Sequence, residues 1–369
     1  MFRTIRRMTA ALRGSLAMLA LSCARPAEAA GGIAVAGDHF VRNGVPFTVK
    51  GVDIFGLIDP LSRTIRPDRI AARKGFGRAL LLTARDQWGA NTIRFQFSQD
   101  ALDPQDPLYT QHYLDEIKAA VELARSLGFV VIVTVNERKV DAVHVGMMTA
   151  ATLRADHTIA KLFGNEPDVM IDVHNEPNLP AIDKGHVINT DNWNLWLSGG
   201  VNDDGVTLVG MQTIVDSLRR AGVTNVLVIE GLKFAEEFEG IPELKDPLSN
   251  YALAAHPYIS GVNKKPENWT PNFGFLADQH RLIFAEEWGA PSETKPGKRW
   301  CKDDPDLQLP GQFLQYLRQK NMGVIGWAFD VPGTIVTDYH GTPNSYDGKR
   351  CGDTGGGPGV LLQQFFLSS

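Results

Sequence analysis

Eight short apolar runs separated by helix-like stretches constrain this 369-residue chain more than any other feature of it. They read FTVKGVD near 50, ANTIRF near 92, GFVVIVTV near 131, VMIDVHN near 171, NVLVIEG near 228, YALAAHPY near 254, RLIFAEEWG near 284 and MGVIGWAFD near 326. Strands that are apolar on both faces and alternate with helices imply a parallel sheet covered by helices. Eight such units predict an α/β fold in which the sheet closes into a (β/α)8 TIM barrel. The rival, an open doubly wound sheet, would carry a glycine-rich phosphate turn after its first strand. GVDIFG, at 51–56, lacks the G-x-G-x-x-G spacing. Between the third-strand candidate and its predecessor, YLDEIKAAVELARSLG sets Leu114, Ile117, Val121 and Ala124 at helical spacing and stops at Gly128. The stretch from Val206 to Ala221 is expected to behave similarly. Asn43-Gly44, between apolar runs, predicts a short N-terminal β-hairpin leading into the first barrel strand.

The first residues do not fit that pattern. Arg3, Arg6, Arg7 and Arg13 precede the apolar run Leu16 to Leu21, and Ala27-Glu28-Ala29 supplies an A-x-A cleavage signal. Residues 1–29 therefore read as a secretory signal peptide, too short for a membrane span. Arg6-Arg7 leaves a twin-arginine export route open, and Leu21-Ser22-Cys23 leaves lipid anchoring at Cys23 open as the less favoured variant. Cleavage would take Lys+Arg from 37 to 32 and Asp+Glu from 42 to 41, moving the formal charge from -5 to -9. So acidic a chain is a poor partner for nucleic acid. Cys301 and Cys351 remain as an even pair in an exported protein and are read as a disulfide, against the alternative of two separate buried thiols. No Ser/Pro linker or internal repeat divides residues 30–369, which are expected to form one barrel domain, a monomer. No His-x-His or three-ligand zinc pattern stands at a strand end, so no metal or other cofactor is expected.

The tripeptide Asn-Glu-Pro occurs twice, at Asn165 to Pro167 and at Asn175 to Pro177, flanking the fourth strand candidate. A strand of about six residues advances roughly 20 Å, so the two copies fall at opposite ends of a barrel. Barrel chemistry is built at the carboxyl ends of the strands. Glu166 is then a turn residue and Glu176 the candidate for chemistry. AEEWG adds Glu286 and Glu287 at the end of the seventh strand. Adjacent strand residues point to opposite sides, so only one of these two is expected to face the mouth. Two carboxylates flanking a bond are what glycoside hydrolysis requires, one as acid and the other as nucleophile or base.

VHNEPN and AEEWGA resemble the fourth- and seventh-strand signatures of glycoside hydrolase family 5, the cellulase-like members of clan A of retaining glycosidases. NTIRF, HPY and GWAFD resemble further stations of the same family, in order. The resemblance implies a secreted retaining enzyme that cleaves a β-glucan, with β-mannan or an oligosaccharide as the alternative substrate and an inactive carbohydrate-binding barrel as the alternative function. It implies Glu176 as acid/base and Glu287 as nucleophile, since the family pattern places an aromatic and Gly after the nucleophile. Arg94 and Tyr258 would keep Glu287 ionised, Asn175 would donate to the sugar 2-hydroxyl, His256 would orient the acid or contact the substrate, and Trp327 would floor the reacting sugar.

The chain departs from the family after the third strand, where many members carry a histidine pair and VTVNERKV places Asn136 and Glu137. Asn136 would replace one polar contact. Glu137 is either a third active-site carboxylate or a salt-bridge partner of Arg138 or Lys139. Trp193 and Trp196, in TDNWNLWLSGG, either stack on sugar rings or anchor a short helix.

Overall fold

The computed structural model describes residues 32–63, 66–137, 145–183, 187–292, 300–353 and 356–368. The signal-peptide reading, Cys23, Arg138 and Lys139 lie outside them. Eight parallel strands close into a barrel in sequence order. They are Lys50–Ile54, Thr92–Ser98, Val130–Asn136, Val169–Asp172, Leu227–Glu230, Tyr251–Ala255, Ile283–Trp288 and Val324–Gly326, the first to eighth barrel strands.

The packing of the second and third strands explains where a site can form. On the second strand Ile93, Phe95 and Phe97 join the shell of apolar side chains that also holds the helices. The alternate residues Thr92, Arg94, Gln96 and Ser98 are buried within the barrel. This strand is therefore polar on its inner face, unlike the doubly apolar strand expected. On the third strand Val130 and Ile132 pack in the barrel interior with Met170, Val228, Ala254, Phe284 and Ile325. Thr134 and Asn136 continue that inner row. The barrel interior is thus apolar at the amino end and polar at the carboxyl end, so packing closes one mouth and leaves polar groups at the other.

The amino mouth is capped from outside. Asn43 and Gly44, at φ 53° and 77°, make the two-residue turn between His39–Arg42 and Val45–Phe47. A further strand, Ile33–Ala36, pairs antiparallel with His39–Arg42 to complete a three-stranded sheet. Phe40 of that sheet packs edge-on against Phe284 with ring centroids 5.6 Å apart. Glu166 lies at this end, paired with Arg125 at 2.7 Å, and the amide of Ile33 donates to the Pro167 carbonyl at 2.7 Å.

The helix Gln111–Ser126 starts where the Thr110 side chain accepts the Tyr113 amide, and Gly128 follows it at φ 90°. Val206 to Ala221 divides differently from expectation. Thr207–Val209 pairs antiparallel with Gly199–Val201, and only Met211–Arg220 is helical. Gly210, between the two elements, lies so close to the carbonyl of Leu197 that a Cβ there would stand 2.3 Å from it, so glycine is what lets the backbones approach. Among the described residues no helix is long and apolar enough to cross a membrane.

Candidate active site

Arg94, fully buried, is the centre of the polar end of the barrel. A guanidinium removed from water must be paired, and five carboxylates converge on it. Asp53 lies at 2.8 Å, Asp172 at 3.1 Å, Glu286 at 3.2 Å and Glu230 at 3.4 Å, and Glu287 makes a short contact. Burial in so negative a surrounding favours neutral acids. It pushes Asp53 up to about 7 and Glu230 up to about 8, and holds Glu286 well above the ordinary carboxyl range, against the pull of Arg94.

Glu287 goes the other way. Burial would raise it too, but the charges of His256 and Arg94 and hydrogen bonds from Tyr258 and Arg94 more than offset that, so its carboxyl sits below the ordinary value. The Tyr258 hydroxyl donates to Glu287 Oε2 at 2.6 Å, and Gln96 Nε2 donates to Oε1 at 2.6 Å.

Both Glu286 and Glu287 face inward, contrary to the alternation expected of a regular strand. The pairing of the seventh strand with the eighth runs Ala285 to Val324, then Trp288 to Gly326. Two glutamates therefore oppose the single residue Ile325. A bulge of this kind re-aims a side chain. Glu286 points into the plug of charges around Arg94, while Glu287 reaches the mouth above it.

Glu176 reaches the same mouth from the loop after the fourth strand, which ends at Asp172, earlier than the six-residue run suggested. The chain turns through a left-handed conformation at Glu176, φ 56°. Its amide donates to Glu230 Oε2 at 2.6 Å, and its Oε1 lies 3.1 Å from Nδ1 of His256. One carboxylate oxygen of Glu176, one of Glu287 and a ring nitrogen of His256 all lie within 4.8 Å of one another. The Glu176 side chain is 33% exposed and that of Glu287 only 5%, so the former is the one open to solvent. Asn175 lines the same mouth, and its Oδ1 accepts from Arg94 at 2.7 Å.

The cleft above these groups encloses about 460 Å³, and Trp327, Tyr258, Phe55 and Phe234 supply its aromatic lining. Trp327 packs edge-on to Phe55 and Tyr258, with centroids 5.7 and 6.4 Å away. Asn136 donates to Gln96 Oε1 at 2.7 Å, so it acts on Glu287 through Gln96. Glu137 lines the cleft too, and its carboxylate accepts the amides of Val145 and Gly146 at 2.9 and 2.8 Å. A larger depression of about 600 Å³ lies near Val35, Lys245 and Leu282, at the amino end of the barrel, away from the paired glutamates. In this fold the carboxyl end is where chemistry is built.

Trp193 does not line the cleft. It is buried, packs edge-on to Trp196 at 5.5 Å, and donates its indole N–H to the Glu239 carbonyl. Trp196 donates likewise to the Glu230 carbonyl at 3.0 Å. The pair anchors the helix Thr190–Ser198 to the barrel, so no indole face is left for a sugar. Cys301 and Cys351 are joined by a disulfide across 50 residues of chain, tying the loops after the seventh and eighth strands. Asp53, Gln96, Asp172, Glu230, Phe55 and Phe234 are site residues that sequence reasoning missed. For four of them a signal existed: a polar residue inside an otherwise apolar strand run, as in VKGVD, IRFQF, VMIDV and LVIEG.

A closed (β/α)8 barrel with two glutamates meeting across its carboxyl-end cleft defines the structural class. Residues 69–332 match the model of the cellulase family, glycosyl hydrolase family 5, and the chain belongs to that family. Endoglucanase 5 of Pectobacterium carotovorum subsp. carotovorum is 21% identical over 246 residues, covering 66% of this chain and 42% of the relative. Endoglucanase N of Pectobacterium atrosepticum is also 21% identical over 246 residues, with 66% and 47% covered. The chain thus spans less than half the length of these relatives. Among solved structures, the native β-glucanase SdGluc5_26A from Saccharophagus degradans shares 22% identity at a TM-score of 0.64, with 91% of this chain and 93% of that one covered. A cellotetraose complex of the endocellulase from Pyrococcus horikoshii shares 16% at 0.63, with 91% and 99% covered. These two likenesses establish the common fold.

Proposed function

We propose that this chain is a secreted retaining glycosidase that cleaves β-glycosidic bonds of a β-glucan-type polysaccharide by double displacement. The observation that carries the reading is the approach of Glu176 and Glu287 to within 4.8 Å, oxygen to oxygen. Retaining enzymes hold their two carboxyl groups about 5 to 5.5 Å apart, whereas inverting ones need roughly 6.5 to 9.5 Å for an intervening water.

In the first step the ionised carboxylate of Glu287 attacks the anomeric carbon while Glu176 gives its proton to the glycosidic oxygen. The carbon–oxygen bond breaks, the leaving sugar departs with that proton, and a glycosyl ester on Glu287 remains. In the second step Glu176, now a base, takes a proton from water as the water oxygen attacks the same carbon and expels Glu287. The environment of each group supports its role. Glu287 is held ionised by Arg94, His256 and Tyr258, as a nucleophile must be. Glu176 is the more exposed of the two, where it can exchange a proton with water. Asn175 lines the cleft beside Glu176 and would donate to the 2-hydroxyl, a contact that strengthens in the transition state. Trp327 and Phe55 offer apolar walls to a sugar ring.

For the substrate, support comes from the relatives: two are named endoglucanases, and one β-glucanase of similar fold was solved with cellotetraose. The test is to supply mixed-linkage β-glucan, carboxymethyl cellulose and β-mannan in parallel and to follow the first anomer released by proton NMR. Release of the β-anomer from the glucans is expected. An α-anomer as first product would sink the retaining mechanism, and turnover of mannan alone would sink the substrate.

A further inference from the structure

We infer that Glu230, at the end of the fifth barrel strand and beneath the cleft, is a positioning residue through which acid delivery by Glu176 depends. The inference rests on the double-displacement reading above and deepens it. Glu230 is fully buried and does not line the cleft. Its Oε2 accepts the backbone amide of Glu176 at 2.6 Å. Its Oε1 faces His256 Nε2 at 3.1 Å, a close polar contact rather than an aligned hydrogen bond, and the opposite ring nitrogen of His256 meets Glu176 Oε1 at 3.1 Å. The amide and the carboxylate of Glu176 therefore both lead back to the same buried carboxylate.

Such a closed loop of contacts answers two physical needs. A non-glycine residue in the left-handed region is strained and persists only where its surroundings over-determine it. The Glu230 bond to the Glu176 amide is such a restraint, acting at the strained residue itself. The second need is a fixed imidazole, since a histidine facing a carboxylate on one nitrogen has its orientation set for the other. Arg94, Asp172 and Glu286 face Glu230 from the second, fourth and seventh strands and His256 from just beyond the sixth, and the Glu230 oxygen beside Nε2, an acceptor, favours the protonated ring of His256. Trp196 fixes the strand end itself by donating to the Glu230 carbonyl.

The test compares full-length wild type with Glu230→Gln and Glu230→Ala on two substrates, phenyl β-cellobioside and 2,4-dinitrophenyl β-cellobioside. Phenol leaves poorly and needs the proton from Glu176, while dinitrophenolate leaves unaided. Both variants are expected to lose about 10- to 100-fold in kcat/KM on the phenyl substrate at the glycosylation step. On the dinitrophenyl substrate the same parameter is expected to stay within about 3-fold of wild type. Glu230→Gln keeps the volume and an acceptor oxygen, so it serves if the alanine variant fails to fold. In that variant the His256 ring, followed by NMR of labelled histidine, is expected to lose its proton at lower pH than in wild type. Equal losses on both substrates, or an unmoved His256 titration, would overturn the inference and leave the glycosidase reading standing. No hydrolysis of either substrate by wild type would overturn the β-glucosidic reading, and this inference with it.

Discussion

Glu286 and Glu287 are neighbours in sequence with opposite electrostatics. Glu286 is pushed toward its neutral form by burial beside Asp172 and Glu230, and glutamine is a close isostere of a neutral carboxylic acid. Glu286→Gln is therefore expected to keep kcat/KM within about 10-fold of wild type, while Glu287→Gln loses at least about 10⁴-fold because the attacking oxygen is gone. Steady-state kinetics on one activated glycoside decides it, and the reverse order would contradict the account. Tyr258 gives a second handle. Its hydroxyl helps hold the Glu287 carboxyl low, so Tyr258→Phe lets it rise. Since the proposed mechanism needs the ionised form, the acid limb of the kcat/KM profile is expected to move to higher pH. A profile that stays in place would show that this hydrogen bond does not tune the nucleophile. The carboxylates at residues 176 and 287 were legible in the sequence because loops and strand ends carry them beside distinctive neighbours. That both adjacent glutamates face inward was not, because strand alternation alone does not reveal a bulge.

At the scale of elements, all eight strands were legible as apolar runs, since each must bury its outer face against helices whatever its inner face does. The polar inner rows at Asp53, Gln96, Asp172 and Glu230 were obscured by the same outer-face pattern. The helix Thr190–Ser198 was ambiguous for another reason. Two tryptophans three residues apart suit a sugar platform and a packed anchor equally well, and only tertiary contact separates the two. Trp193→Phe is expected to lower stability by about 1 kcal/mol through loss of the bond to the Glu239 carbonyl, and to leave KM within about 2-fold. Thermal melts and Michaelis curves on the same preparation check this; a KM raised several-fold with stability unchanged would restore Trp193 to the substrate site. The disulfide closes a loop of 50 residues, for which the chain-entropy model gives about 4 kcal/mol. Replacing Cys301 and Cys351 with serine is expected to lower denaturant stability toward that extent. An unchanged midpoint would mean that the loops after the seventh and eighth strands are held by their other contacts.

Across the whole molecule, the barrel is a scaffold that keeps protons inside. Asp53 and Glu230 are raised to about 7 and about 8 from ordinary values of 3.8 and 4.5. Between those limits the folded chain binds protons that the unfolded chain has released. The resulting stabilisation is complete below the unfolded values and is lost as pH rises through the folded ones. The melting temperature is therefore expected to fall between about pH 5 and about pH 8, and a scanning-calorimetry series showing it rise over that window would contradict the assigned burial of charge. The same plug places one guanidinium beneath two glutamates and holds the carboxyl of Glu287 below its ordinary value, the state that the proposed nucleophile needs. That assignment is tested most directly by incubating the protein with 2,4-dinitrophenyl 2-deoxy-2-fluoro-β-cellobioside and mapping the labelled peptide by mass spectrometry. A glycosyl ester on Glu287 is the outcome the account requires; a label on any other residue, or unlabelled protein that still hydrolyses β-glucan, would contradict it.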